Sequence, residues 1–68
     1  MHSRDRDDRE LPAELLAALR AAPDAAERFE QLSPSHRREY VRWIAEARRH
    51  DSRERRAAQT VMRLLERR

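Results

Sequence analysis

From Leu11 onward, apolar residues recur at helical spacing, and prolines and polar corners divide the chain into four such segments. Leu11, Leu15, Ala18, Leu19 and Ala22 step by three and four residues along one face, with Pro12 suited to a first turn. Pro23 interrupts that helix, because its ring removes a backbone donor and clashes with the preceding turn. Asp24 followed by Glu27 has the spacing of a capping box, so a short second helix is expected to begin there, with Ala25, Phe29 and Leu32 buried. Ser33-Pro34 supplies an N-cap and a first-turn proline, the strongest helix start in the chain. The third helix is expected to run to about Arg49, and His50-Asp51-Ser52 to form the next corner. Asp51 or Ser52 then caps a fourth helix that turns Ala57, Ala58, Val61, Leu64 and Leu65 inward. By contrast, residues 1–10 alternate charges and carry no apolar residue except the initiator, the pattern of a disordered leader. The expected architecture is all-α, a small bundle of about four short helices forming a single domain over residues 11–68.

Composition narrows this further. The chain has no glycine, which excludes the phosphate-cradling loops and dinucleotide turns that need its backbone freedom. Val41, Ile44, Thr60 and Val61 are the whole β-branched set, while alanine, leucine, glutamate and arginine dominate, all good helix formers. No cysteine is present, so no disulfide framework supports the fold. A chain of 68 residues has a small core, and helix packing and caps must stabilise it. No apolar run approaches the roughly 18 residues of a membrane span, and the N-terminus lacks the apolar stretch of a signal peptide. The expected location is the cytoplasm.

At about 100° per residue, the third helix sorts cleanly. Tyr40, Ile44 and Ala47 define an inner face, with Trp43 at its edge. Arg38, Arg42 and Arg49 fall almost opposite, and Arg37 and Arg48 lie at the boundary beside Val41. On the fourth helix Arg56 and Arg63 are expected to point outward, whereas Arg53 lies on the flank shared by Ala57, Thr60 and Leu64. Charge is uneven along the chain: residues 1–33 carry 5 arginines and 8 acids, residues 34–68 carry 11 arginines and 5 acids. All 16 basic residues are arginine, the side chain suited to bidentate contact with carboxylate or phosphate.

Leu11-Pro12, Ala25, Phe29, the run from Leu32 to Ile44 (LSPSHRREYVRWI), Glu46-Ala47, Ser52-Arg53 and Arg55-Arg56 together resemble the bacteriocin-protection, YdeI or OmpD-associated family. The resemblance covers nearly everything from Leu11 to Arg68. Two departures stand out: Ala57 where the family has a larger aliphatic, and a tail ending Glu66-Arg67-Arg68 where a glycine is usual. The resemblance implies a small bacterial helical module, often the C-terminal part of a larger chain, with no catalytic motif. The family's names imply a link to bacteriocin protection or stress, or association with a porin. Direct periplasmic contact with a porin would require a signal peptide.

The residues offer little catalytic chemistry. Ser33, Ser35 and His36 cluster at a helix start, where Ser33 caps and the others fill the first turn; no third orienting group or oxyanion site accompanies them. His2, His36 and His50 are too scattered for metal ligands, and no cofactor motif is present, so no enzyme activity and no cofactor are expected. Tyr40 and Trp43, one turn apart, read as core anchors with an aromatic ligand lip as the alternative. Arg37 and Arg53 are candidates for a structural ion pair, Arg53 with Glu54, Glu39 or Asp51, or for an anion site at the third-to-fourth helix corner, with Arg56 contributing. Arg38, Arg42, Arg49, Arg56 and Arg63 form the candidate interaction surface, for an acidic protein partner or a second copy of the chain. Weak, salt-dependent nucleic-acid binding through the same face is the alternative, and a merely solvated face cross-linked through Glu39 and Glu46 is the plainest one.

Overall fold

The computed structural model describes residues 11–66, so the charged leader expected over residues 1–10 lies outside the described part. Four helices follow one another: α1 (Ala13–Ala21), α2 (Pro23–Gln31), α3 (Pro34–Ala45) and α4 (His50–Glu66). The all-α architecture expected from the apolar spacing is the one observed. The longest helix, α4, packs against each of the other three, most extensively against α1. One core cluster forms around it from Leu15 and Leu19 of α1, Ala25 and Phe29 of α2, Leu32, Ile44 of α3, and Ala57 and Leu64 of α4. Among the described residues, no helix is long and apolar enough to cross a membrane.

Prolines set two of the starts. Pro23 and Pro34 stand in the first turns of α2 and α3, where a missing N–H costs nothing. At α3 the Ser33 hydroxyl accepts a hydrogen bond from the His36 backbone N–H at 3.3 Å, the capping expected of Ser-Pro. At α2 the expected capping box does not form. Ala22 is the N-cap and no side chain caps it, because Pro23 starts the helix one residue before Asp24 and moves that carboxylate into the first turn. There it still favours the positive end of the helix dipole.

The corner between α3 and α4 also differs from expectation. The third helix ends at Ala45 instead of Arg49, and α4 begins at His50, ahead of the expected caps Asp51 and Ser52. A tight turn explains the early end: the Ala47 N–H donates to the Ile44 carbonyl at 3.1 Å, which folds Ala47 back into the interior. The Arg53 N–H donates to the Arg49 carbonyl at 3.0 Å, so Arg49 supplies the first carbonyl of α4.

Within α4 the buried stripe is turned from the expected one. Ala57, Thr60 and Leu64 are buried, while Ala58 is exposed and Leu65 is 44% exposed. The Thr60 hydroxyl is fully buried without penalty because it donates to the Arg56 carbonyl at 2.9 Å. Following the stripe back by four from Ala57 reaches Arg53, which places that side chain at the end of the buried face.

Candidate functional site

A chain without glycine has no residue that enters the left-handed region at low cost, and no described residue has positive φ. Helix C-termini must therefore satisfy their last carbonyls some other way. Part of the answer is backbone: Ala22 donates to Leu19 at 3.1 Å and Leu32 to Phe29 at 3.2 Å, the same tight closure seen after α3. The rest is arginine. Arg37 donates to the carbonyls of Glu30 (3.1 Å) and Leu32 (2.8 Å), closing α2. Arg56 donates to the Trp43 carbonyl at 2.6 Å in the last turn of α3. Arg53 takes Ala47 (3.2 Å) and Arg48 (2.9 Å) in the corner that follows. Arg28 donates to Leu64 and Leu65, both at 3.2 Å, at the end of α4. A guanidinium suits this role because its fork reaches two carbonyls at once and complements the negative end of the dipole.

Arg53 does a second task. Its Nε donates to Glu14 Oε2 at 3.0 Å, so its acidic partner sits on α1 and not at Glu54, Glu39 or Asp51 as expected. His50 Nδ1 lies 2.7 Å from the same oxygen, and its Nε2 lies 3.3 Å from Glu54 Oε2. The Glu14 side chain is 7% exposed, which makes it the buried acceptor joining the first turns of α1 and α4. Its carboxyl is held down to about 2 from an ordinary 4.5 by its own backbone N–H, and then by hydrogen bonds from His50 and Arg53, against an opposing desolvation cost. His50 is raised above its ordinary 6.5, by the Glu14 hydrogen bond first and the Glu54 charge second.

The two shifts bracket a pH window. Glu14 is depressed, so its contribution is complete above 4.5 and fades as pH falls toward 2. His50 is raised, so its contribution is complete below 6.5 and fades as pH climbs through the elevated folded value. Urea midpoints are expected to be highest between those two ordinary values and to decline on the alkaline side. In His50→Ala the alkaline decline should flatten while the acid one persists. An unchanged alkaline limb in that variant would remove His50 as its source.

Trp43 organises the opposite side of α4. The guanidinium carbons of Arg56 and Arg63 lie 5.2 and 5.5 Å from its ring centroid, within cation–π range. Of the two, Arg63 is exposed as expected, whereas Arg56 is half-buried, its guanidinium drawn over the indole and onto the Trp43 carbonyl. Between α3 and α4 this leaves an open cleft of about 370 Å³ lined by His36, Glu39, Tyr40, Trp43 and Arg63. A second hollow of about 520 Å³ between α1 and α4 is lined by four alanines, Glu14, His50 and Glu54.

The family model described as bacteriocin-protection, YdeI or OmpD-associated matches residues 8–67, nearly the whole chain. The chain belongs to this family. No curated protein and no solved structure matches it.

In this member of the family the described arginines thus divide into those the fold engages and those it leaves exposed, and Arg20, Arg48 and Arg55 belong with the exposed ones, without a side-chain partner among the described residues. Arg28, Arg37, Arg53, Arg56 and Arg63 engage carbonyls, a carboxylate or an indole. Arg38 and Arg42 on α3, and Arg49 at the corner, are exposed, and their guanidiniums pair with no described residue. Glu39 and Glu46, placed to cross-link that face, form no ion pair with them. Among the described residues, no group of three histidines, cysteines or carboxylates could hold a metal ion. The sequence signal for the first group was the missing glycine. Glu14, the acidic partner of the corner, carried no such signal, since it lies 39 residues from Arg53.

Proposed function

We propose that this chain is a non-enzymatic, cytoplasmic contact module whose outer arginines hold an acidic protein surface or a second copy of the chain. The family's description names bacteriocin protection, and the contact role is proposed to serve that or a stress response. The observation that carries the proposal is the separation of Arg38, Arg42 and Arg49 from every arginine the fold consumes. They are exposed and unpaired, while capping and stacking occupy Arg28, Arg37, Arg53, Arg56 and Arg63. Charge left unpaired on a folded surface is available to steer and fix an oppositely charged partner. Protein contact is favoured over nucleic acid because the chain's one indole, the best stacking platform for a base, already engages two guanidiniums.

The test is charge reversal. A chain carrying Arg38→Glu, Arg42→Glu and Arg49→Glu should keep its helicity, since none of the three makes a fold contact through its side chain. It should lose capture of acidic proteins in a pull-down. Capture equal to the unaltered chain would sink the proposal. Binding of labelled duplex DNA that weakens in proportion to log salt would move nucleic acid ahead.

A further inference from the structure

The exposed side of α4 has an order that neither the core nor the arginine caps use. Asp51, Arg55, Ala58, Met62 and Leu65 follow one another at steps of four, three, four and three residues, and all five are exposed. At about 100° per residue they form one seam, turned away from the buried stripe of Ala57, Thr60 and Leu64. Alternating steps of three and four are the spacing by which one helix packs along another. Met62 is 59% exposed and Leu65 44%, so two of the three large apolar side chains exposed among the described residues lie in this seam. Ala58 also lines the hollow between α1 and α4, so the seam borders a concavity that a longer side chain can enter. Arg55 in the seam and Glu66 beside Leu65 are exposed, and neither side chain has a partner among the described residues.

We propose that this seam is the contact between two copies of the chain, packed α4 against α4 in antiparallel two-fold symmetry. In that direction the seam is complementary to itself. With the two-fold axis midway between Ala58 and Met62, each Met62 meets Ala58 of the second copy, a long side chain over a small one. The same register sets each Arg55 beside Leu65 of the second copy, within reach of the adjacent Glu66. Both contacts occur twice, since a two-fold interface repeats each of its pairs. Charge disfavours the parallel alternative, which would set Asp51 against Asp51 and Arg55 against Arg55. A different protein would have to bring an acid for Arg55 and a base for Glu66 at this spacing, whereas a second copy of the chain already carries both. The apolar part of the seam spans only Ala58 to Leu65, short of the roughly three to four heptads of a sustained coiled coil, so the pair is weak and dissociates on dilution. This contact lies apart from Arg38, Arg42 and Arg49 and does not rest on the reading of that surface.

Sedimentation velocity of the unaltered chain, run from low micromolar to near-millimolar concentration, tests this. The mass is expected to rise with concentration toward twice that of the monomer. Met62→Glu should keep the chain monomeric throughout, because pairing would bury two carboxylates against apolar surface. Arg55→Glu and Glu66→Arg should each weaken the dimer by about tenfold, since symmetry applies every like-charge contact twice. Combining Arg55→Glu with Glu66→Arg should restore the dimer, a rescue that only the antiparallel register allows. All of these changes fall on exposed residues, so the variants should fold, and circular dichroism verifies it. An unaltered chain that stays monomeric at every concentration would overturn the proposal, as would a combined swap no better than either single change. A dimer that persists in Met62→Glu but is lost on reversing Arg38, Arg42 and Arg49 would overturn the seam and assign self-association to the outer arginines instead.

Discussion

Replacing Leu64 with alanine should leave this protein largely unfolded at room temperature, while the same change at its neighbour Leu65 should hardly be felt. Leu64 is fully buried on α4, the helix that the other three pack against. Truncating a buried leucine removes transfer energy and leaves a cavity, together costing about 2–5 kcal/mol. A core of this size supplies no more than roughly 3–5 kcal/mol of net stability, so one such cavity consumes most of it. Leu65 is 44% exposed, about 100° round the helix from Leu64, so its truncation should cost far less and approach the roughly 0.5 kcal/mol scatter of surface changes. Thermal melts followed by helical circular dichroism separate the two. Each kcal/mol lost corresponds to about 4–8 °C for a domain of this length. Similar melting temperatures for the two variants would mean that α4 does not present the face described above.

The same pair of leucines shows where reading the sequence works and where it stops. Local punctuation is legible: Pro23 and Pro34 start helices, Ser33 caps, and the spacing of Leu15 with Leu19, or Ala25 with Phe29, marks buried stripes. Those signals lie within a turn or two of each other, where helical geometry alone decides the outcome. On α4 the apolar residues are too sparse to fix the rotation of the helix. Ala57, Ala58, Val61, Leu64 and Leu65 span both sides of the true stripe, and Thr60 belongs to the core because its hydroxyl closes on the Arg56 carbonyl. Propensity scales count threonine as polar and cannot anticipate that closure.

Arginine roles divide along the same line. The exposure of Arg38 and Arg42 follows from their angle opposite Ile44 and needs no tertiary knowledge. The partners of Arg53 and Arg28 lie 36 to 39 residues away, on helices whose mutual placement no local pattern encodes. His50 illustrates the middle case. It reads as a corner residue, but in the fold it opens α4 and bridges Glu14 to Glu54. Its titration, and with it the alkaline stability limb, therefore depends on α1 docking.

The second large effect belongs to Arg56. Its Nη1 donates to the Trp43 carbonyl at 2.6 Å while its guanidinium lies over the Trp43 ring, 5.2 Å from the centroid, so one side chain both closes α3 and fixes α3 to α4. Arg56→Ala should cost about 2–4 kcal/mol: roughly 1.5–3 for the charge-assisted hydrogen bond and about 0.5–1 for the ring contact. Arg56→Lys should recover only a fraction, because an ammonium is a more strongly hydrated point charge and lacks the guanidinium's fork of donors. Arg38→Ala, on the open face of α3, should change stability by no more than about 0.5 kcal/mol. Urea denaturation of the three variants gives the comparison, and equal losses at Arg56 and Arg38 would refute the capping role. The prediction has a physical root in composition. Where a chain carries glycine, a left-handed residue turns the backbone so that its own N–H groups reach the last carbonyls. Here no described residue turns that way, the carbonyls stay open to whatever donor is near, and a side chain with five donors and a permanent charge becomes the structural substitute. An arginine count that looks like a binding surface is thus in part the requirement of closing helices without glycine, and only the remainder, Arg38, Arg42 and Arg49 with the likewise exposed Arg20, Arg48 and Arg55 among the described residues, is left over for a partner.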